Sequence, residues 1–435
     1  MMIRRARSLA PLVLSALLAV APACVRALPP VSLMLPDDAP GFPIVFFGMH
    51  VHNNPGQPER WPSIPIGSLR LWDARVSWPQ LEAKRGEWQF ARLDTYVDWA
   101  QAHGVQILLP LGLSPTWASA RPQEPSAYGS AAGSGAGYAA EPASPDDWRT
   151  YVRTVAQRYK GRIRYYELWN EVTDKGFFTG SVVDLASLAR VAKEELKAVD
   201  PSIQLVGPSA VSLGERQTAR PAEFMAAAGR GVADIASFHL YHGDHAPELK
   251  LGMAPNIRRQ LVNRGFGDVP MWNTETGYYM APPPALVGKS DGKYNITPQE
   301  AAAYLPRDML LGRAMGFERF FWFAWDNDFL GFLEPRTDTL RPHAKVLAQF
   351  ISLLTDSHLS ACERDVDGRW RCSLRLKDGT PALAVWSDPS ARQALEVAAP
   401  WPGQRVVLDG IDRGTVLGVS VALGPVVQLL IKRPR

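Results

Sequence analysis

Two strings in this 435-residue chain each end an apolar, aromatic-rich run on a carboxylate: Tyr165-Tyr166-Glu167-Leu168-Trp169-Asn170-Glu171 and Met271-Trp272-Asn273-Thr274-Glu275-Thr276-Gly277. Each reads as a buried strand with a Glu at or just past its tip. Two such carboxylates aimed into one cleft are the minimum equipment for cleaving a glycosidic bond, one giving a proton while the other attacks or steers water. A lone Glu usually caps a helix or pairs on the surface. Two of them, each after a Trp-Asn-containing run, argue against that fate.

The elements that must position them follow a βα rhythm from about Pro43 to Phe350. Strands are predicted at Ile44–Met49, Ser68–Trp72, Val105–Leu111, Ile163–Trp169, Ile203–Gly207, Ile235–His239, Val269–Thr274 and Arg319–Trp325. Helices are predicted at Leu93–His103, Pro145–Tyr159, Val182–Val199, Pro221–Gly229, Pro255–Arg264, Pro298–Met315 and Pro342–Thr355, several opened by Pro or an acidic first turn. The first connection, Asn53 to Ile66, is Pro-rich and a poor helix. Eight strands with seven good helices favour an α/β fold of the (β/α)₈ TIM-barrel type, over residues 40–355, rather than a doubly wound sheet. Glu171 then follows the fourth strand and Glu275 ends the seventh. On a ring of eight, their tips face across one bowl, where barrel active sites sit.

After Leu354 the rhythm becomes short alternating strands, at Trp370–Leu376, Ala382–Trp386, Ala394–Val397, Arg405–Leu408 and Val426–Ile431, with Asp378-Gly379 and Asp409-Gly410 as turns. Residues 356–435 therefore read as a C-terminal all-β, sandwich-like domain, a buttress more than a sugar-binding module because no exposed aromatic triplet is evident. No internal repeat is present. The Gly/Ala/Ser segment Ser130–Ala140 and the Pro/Gly segment Pro282–Gly292 follow the third and seventh strands, and read as mobile loops on the rim of the bowl.

A hydrophobic content of 46% over this length supports one large core and a second, smaller one. Net charge is only +4, with Lys and Arg scattered, so no basic stripe offers itself to nucleic acid. Arg4, Arg5 and Arg7, then an apolar stretch from Leu9 to Val20 and Ala21-Pro22-Ala23, form a signal segment over residues 1–27. The stretch is short of the about 20 residues of a membrane span. Export to the periplasm or medium is expected. Lipidation at Cys24 ranks lower, because Ala21 stands where a lipobox usually has Leu. Cys362 and Cys372, flanking a turn in an exported protein, are candidates for a hairpin disulfide.

The string Glu167-Leu168-Trp169-Asn170-Glu171, together with Thr274-Glu275-Thr276-Gly277, resembles clan A glycoside hydrolases. The run Trp78, Glu82, Gly86-Glu87-Trp88-Gln89-Phe90 and Asp94 is similar to the opening segment of family thirty-nine and its neighbours. The resemblance spans roughly Pro43 to Phe350 and extends to the appended β domain. It implies that Glu171 is the acid/base and Glu275 the nucleophile of a retaining mechanism, and that Asn170 donates to the sugar 2-hydroxyl. The other reading of Asn170 is a helix N-cap. It further implies that Arg70 keeps the nucleophile ionised, that Tyr241 orients it, and that Trp325 floors the sugar site. His239 would touch sugar or a neighbouring carboxylate, and His50 and His52 either contact a hydroxyl or are ordinary buried histidines. Trp117, Trp169, Tyr278 and Tyr279 are stacking candidates; Trp272 and Trp322 read as core.

His239, His242 and His245 lack the ligand geometry and the partner cluster of a zinc site, so neither metal nor cofactor is expected. The carbohydrate substrate is the partner these residues indicate; no protein partner is. The expected activity is cleavage of β-glycosidic bonds by two Glu, in an exported bacterial polysaccharide or its oligosaccharides. An exo-acting β-xylosidase and a non-catalytic polysaccharide-binding or assembly protein are the alternatives.

Overall fold

The computed structural model describes residues 30–36, 41–53, 60–129, 135–211, 215–241, 243–280, 296–335, 337–388, 391, 394–411 and 413–433. The signal segment with Cys24, the segment Pro282–Gly292, the first part of Ser130–Ala140 and His242 lie outside these residues.

Eight parallel strands form the central sheet: β2 (Phe47–His50), β3 (Ser68–Arg70), β4 (Gln106–Leu111), β5 (Tyr165–Leu168), β6 (Gln204–Val206), β7 (Ala236–His239), β8 (Met271–Thr276) and β9 (Phe317–Trp322). Their order is β6-β5-β4-β3-β2-β9-β8-β7, and parallel bridges from Val206 to Ile235 and from Val211 to His239 join the two ends. The sheet is thus a (β/α)₈ barrel. Its strands, apart from a few end residues, are buried, as strands covered on both faces must be.

The helices are α1 (Trp78–Leu81), α2 (Ala91–Ala102), α3 (Pro145–Arg158), α4 (Val182–Val199), α5 (Glu215–Ala228), α6 (Lys250–Asn263), α7 (Pro298–Ala314) and α8 (Pro342–Leu354). Local sequence explains several starts. Ser144 accepts from the Asp146 N–H ahead of Pro145, while Ser181 with Asp184 and Thr297 with Glu300 form reciprocal capping boxes. The helices expected from Pro221 and Pro255 begin earlier, at Glu215 and Lys250. Each proline sits inside its helix, where it forfeits one N–H bond without ending the run.

The N-terminal end of the barrel is plugged. Leu108, Tyr165, Val206, Ile235, Trp272 and Phe321 pack there, and the Arg319 guanidinium lies 4.3 Å from the Tyr165 ring centre and 4.2 Å from that of Trp272. The opposite end is left to the side chains at the strand tips.

The β domain adds the strands β10 (His358–Arg364), β11 (Arg369–Arg375), β12 (Pro381–Ser387), β13 (Leu395–Ala398), β14 (Gly403–Val407), β15 (Gly414–Val416), β16 (Ser420–Leu423) and β17 (Gln428–Lys432). With β1 (Val31–Met34), six of these form a seven-stranded sheet in the order β1-β10-β11-β12-β17-β14-β15, which faces the pair β13–β16 across Val385, Val397, Leu417, Val421 and Leu430. Its first strand, β1, precedes the barrel in sequence and pairs antiparallel with β10. β1, β10, β15 and β16 are absent from the sequence reading. Cys362 and Cys372 sit opposite each other on β10 and β11 and are bonded. The sheet's other face shares one apolar core with the barrel through Trp370, Trp386 and Leu429, and Gln349 of α8 hydrogen-bonds Val407, Gly410 and Ile411. Among the described residues, no helix is long and apolar enough to cross a membrane.

Candidate active site

Arg70, fully buried on β3, is the hub of the bowl. Its Nε donates to Glu167 Oε2 at 2.6 Å, Nη1 to Glu275 Oε2 at 2.9 Å and Nη2 to Asn170 Oδ1 at 2.7 Å. A planar fork suits three such acceptors in a way an ammonium does not. The second oxygen of Glu275 accepts from the Tyr241 hydroxyl at 2.8 Å. The second oxygen of Glu167 accepts from Thr274 Oγ1 at 2.9 Å, so Glu167 is a fully engaged brace behind Arg70.

Glu171 meets a different partner. Its Oε1 lies 2.8 Å from His239 Nδ1, and that nitrogen is 3.8 Å from Glu275 Oε1. One ligand atom each from Glu171, His239 and Glu275 lie within 4.8 Å of one another, a trio that could also span a metal ion. Burial, first of all, pushes both carboxyls up to about 7; the Arg70 charge counters it in both, and repulsion from Glu171 adds to the rise at Glu275. Burial lowers His239 to about 4, so its ring is neutral. His50 is held well below the usual range by burial and by Arg70.

Backbone geometry at this end is unusual. Asn53, Asp73, Arg75, Leu113, Trp169 and Glu171, all within a few residues of the tips of the first four strands, have φ between +44° and +60°. Non-glycine residues rarely adopt this region, and it concentrates where the surrounding structure holds a side chain in place for a purpose. Gly277 has its own reason: a Cβ there would sit 2.5 Å from the Phe323 carbonyl oxygen, so only glycine lets the β8 exit pass.

A cleft of about 450 Å³ opens beside these residues, lined by His52, Trp72, Asp73, Arg75, Tyr128 and Phe323 among others. Tyr128 packs on Trp72 and Phe177 and donates to Asp73, and its hydroxyl lies within the field of Glu275 and Glu171.

The structure thus brings together Glu171, Glu275, Arg70, Asn170, His239 and Tyr241 from the sequence reading. Asn170 is not a helix cap: the next helix, α4, is capped by Ser181, and the Asn170 carbonyl is committed to Arg70, which leaves its NH₂ as the end able to donate. His50 binds the Thr274 carbonyl through Nε2 and packs, like His52, on the Phe323 ring.

Four aromatic expectations fall elsewhere. β9 ends at Trp322, three residues before Trp325, so the first aromatic past the tip is Phe323, which lines the cleft; Trp325 turns into the core against Phe332. Trp117 packs edge-on to Trp78 beneath Arg85, with its indole N–H on the Glu82 carbonyl. Trp169 and Tyr278 are likewise buried, bonded to the Phe177 carbonyl and to Asp308. The described part of the Gly/Ala/Ser segment, residues 135–140, is not a mobile rim: Ala136, Ala139 and Ala140 are buried, and the Tyr138 carbonyl accepts from the Ser114 N–H. Of the three histidines weighed as a zinc set, His239 is buried at the carboxylates whereas His245 is exposed beside Asp244.

Sequence reading gave no role to Glu167, Trp72, Tyr128 or Phe323. Only Glu167 carried a usable signal, since a carboxylate in mid-strand between buried neighbours demands a buried cation.

Over residues 72–186 the chain matches the family model described as glycosyl hydrolase family 10. Solved structures share the whole architecture. A family 39 glycoside hydrolase from the gut symbiont Bacteroides cellulosilyticus WH2 is 17% identical, with a TM-score of 0.68 over 90% of this chain and 81% of that one. A monomeric β-xylosidase from Caulobacter crescentus CB15 is 16% identical, with a TM-score of 0.62 over 90% and 97%. A GH39 enzyme from Xanthomonas axonopodis pv. citri is 16% identical, with a TM-score of 0.62 over 90% and 95%. No curated protein sequence matches the chain. The barrel with its β domain and the family-model match define a glycoside hydrolase of clan A. Within that clan the fold is similar to that of family 39.

Proposed function

We propose that the protein is a retaining hydrolase of β-linked saccharides, with Glu275 as nucleophile and Glu171 as acid/base. The unequal hydrogen bonding of the two carboxylates carries this reading. Glu275 accepts from a guanidinium and a phenol, both of which favour its ionised form, whereas Glu171 meets a neutral imidazole. The shared charge therefore rests on Glu275 and the proton on Glu171. Glu171 gives that proton to the leaving oxygen as Glu275 attacks the anomeric carbon. Once Glu275 is esterified its charge is gone, so Glu171, having given up its proton, stays ionised; it takes a proton from the incoming water as that water attacks the anomeric carbon and releases Glu275 as carboxylate. The 4.8 Å bound on the catalytic atoms supports retention, which uses carboxylates about 5–5.5 Å apart, over inversion, which needs about 6.5–9.5 Å.

The substrate we infer is a polysaccharide, or its oligosaccharides, met outside the cytoplasm after export. An exo-acting β-xylosidase is the second reading, favoured by the xylosidase from Caulobacter crescentus among the fold neighbours. The test is product analysis by NMR and mass spectrometry on β-linked oligosaccharides and bacterial exopolysaccharides, with and without a chelator. A first-formed β-anomer, unchanged by chelator and lost in Glu171→Gln and Glu275→Gln, supports the reading. Xylose alone as product selects the exo enzyme, a first-formed α-anomer rejects retention, and binding without turnover selects a non-catalytic protein.

A further inference from the structure

Behind the nucleophile lies a buried polar cluster that the chemistry above does not use. Lys250, fully buried at the start of α6, donates to Asp308 of α7 at 2.6 Å and lies 3.4 Å from Thr276 Oγ1. The other oxygen of Asp308 accepts from the Tyr278 hydroxyl at 2.8 Å. Thr276 and Tyr278 follow Glu275 directly on the β8 exit. Thr276 Oγ1 in turn donates to the Leu240 carbonyl at 2.9 Å, and the Leu240 N–H donates to the Glu275 carbonyl. Leu240 is the residue before Tyr241. The Thr276 hydroxyl is thus a bridge between the strand that carries Glu275 and the segment that carries the phenol bonded to it.

The cluster is anchored from outside the barrel. Glu248, two residues before Lys250, pairs with Arg307, the neighbour of Asp308, and accepts from the Trp386 indole of the β domain at 2.9 Å. A buried ion pair costs desolvation and is a poor way to gain stability, so its placement against the nucleophile strand calls for another reason.

We propose that Lys250, Asp308, Tyr278 and Thr276 are positioning residues that hold the Tyr241 hydroxyl on Glu275, with the β domain bracing them. This rests on Glu275 being the nucleophile. The decisive pair of variants is Thr276→Val, which removes the bridging hydroxyl at nearly constant shape, and Thr276→Ser, which keeps it. Tyr278→Phe is a second, milder probe of the same cluster should Thr276→Val not fold.

The first readout needs no substrate: the titration of the Glu275 carboxyl by ¹³C NMR in the full-length protein labelled with ¹³C-Glu. Arg70, His239, Glu171, Tyr241 and, from the cleft side, Tyr128 are the charged and titratable groups that face this carboxyl. Of these partners, Tyr241 is the one carried on the segment that the Thr276 hydroxyl bonds. Loss of the Tyr241 bond withdraws a donor from the ionised form, so Thr276→Val should raise the midpoint by about one pH unit, with Thr276→Ser close to wild type. The second readout is hydrolysis of p-nitrophenyl β-D-xylopyranoside, with kcat down about 10-fold and KM within about twofold for Thr276→Val. Titration midpoints in Thr276→Val and Tyr278→Phe that match wild type overturn the proposal. A shifted midpoint in a protein that hydrolyses nothing upholds the positioning while defeating the hydrolase reading.

Discussion

Arg70 donates from Nη1 to Oε2 of Glu275 at 2.9 Å and so joins the second and seventh strands of the barrel across its interior. The same guanidinium also holds Glu167 and Asn170, on or just past the fourth strand. One planar cation therefore sets the positions of Glu275, of Glu167, and of Asn170, the residue next to Glu171.

Replacement of Arg70 by Lys keeps the charge but not the fork. It leaves at least one buried acceptor unpaired, for which about 3–5 kcal/mol of stability is the expected cost when a buried ion pair is broken outright and somewhat less here. Thermal unfolding should show the loss, and kcat/KM on the best substrate should fall by about 100-fold or more.

Glu171→Ala separates the two chemical steps. A substrate with a strongly acidic leaving group still esterifies Glu275, but hydrolysis of the ester lacks its base. Added azide, which needs no base, attacks the anomeric carbon and releases Glu275 as carboxylate. The product expected by NMR is a glycosyl azide with retained configuration; an azide of inverted configuration would contradict the nucleophilic role of Glu275.

The raised carboxyls make stability depend on pH. Glu171 titrates at about 7 in the folded chain, against 4.5 for an unperturbed Glu. A group raised in this way favours the folded state at low pH, and that contribution is lost as pH climbs from about 4.5 through 7. Glu171→Gln removes the buried charge, so the variant should be more stable than wild type at pH 8 by about 1–3 kcal/mol, a gain that vanishes below about pH 4.5. Paired denaturation curves at pH 8 and pH 4 check the sign. Glu275→Gln is the poorer probe because it also strips a partner from Arg70.

Tyr241→Phe deletes the donor to Glu275 Oε1. The ionised nucleophile is then harder to form, and the acid limb of the kcat/KM profile should move upward, with a loss of about 10-fold at neutral pH. An unmoved limb would mean that Arg70 alone sets the charge state.

The Cys362–Cys372 bond, at a sequence separation of 10, closes a short hairpin in the β domain. Loop-closure entropy for about ten residues gives about 2–3 kcal/mol. The Cys362→Ser/Cys372→Ser double variant should lower the unfolding temperature by several degrees and leave kcat unchanged, because the hairpin lies on a sheet away from the bowl.

Sequence by itself determined the barrel and the placement of Glu171 and Glu275 at one end of it. Hydrophobic runs with helical patterns between them specify eight strands, because strands covered on both faces cannot be polar. A Glu at each of two strand tips can then point only into the bowl. The helix starts at Pro221 and Pro255 misled, since a proline inside a helix loses one bond yet survives where packing supplies the rest. Tertiary structure alone decided which side chains complete the site. Glu167 binds Arg70 across 97 residues of chain, and Tyr241 reaches Glu275 only because β7 and β8 are neighbours. Phe323 replaces Trp325 at the cleft because a strand end three residues earlier turns a different ring inward, and strand ends depend on pairing with neighbours that local sequence does not contain. The same holds for β1, which joins the distant β10. Patterns along a chain record which residues must be buried; which distant residue each one meets is set by closure of the barrel.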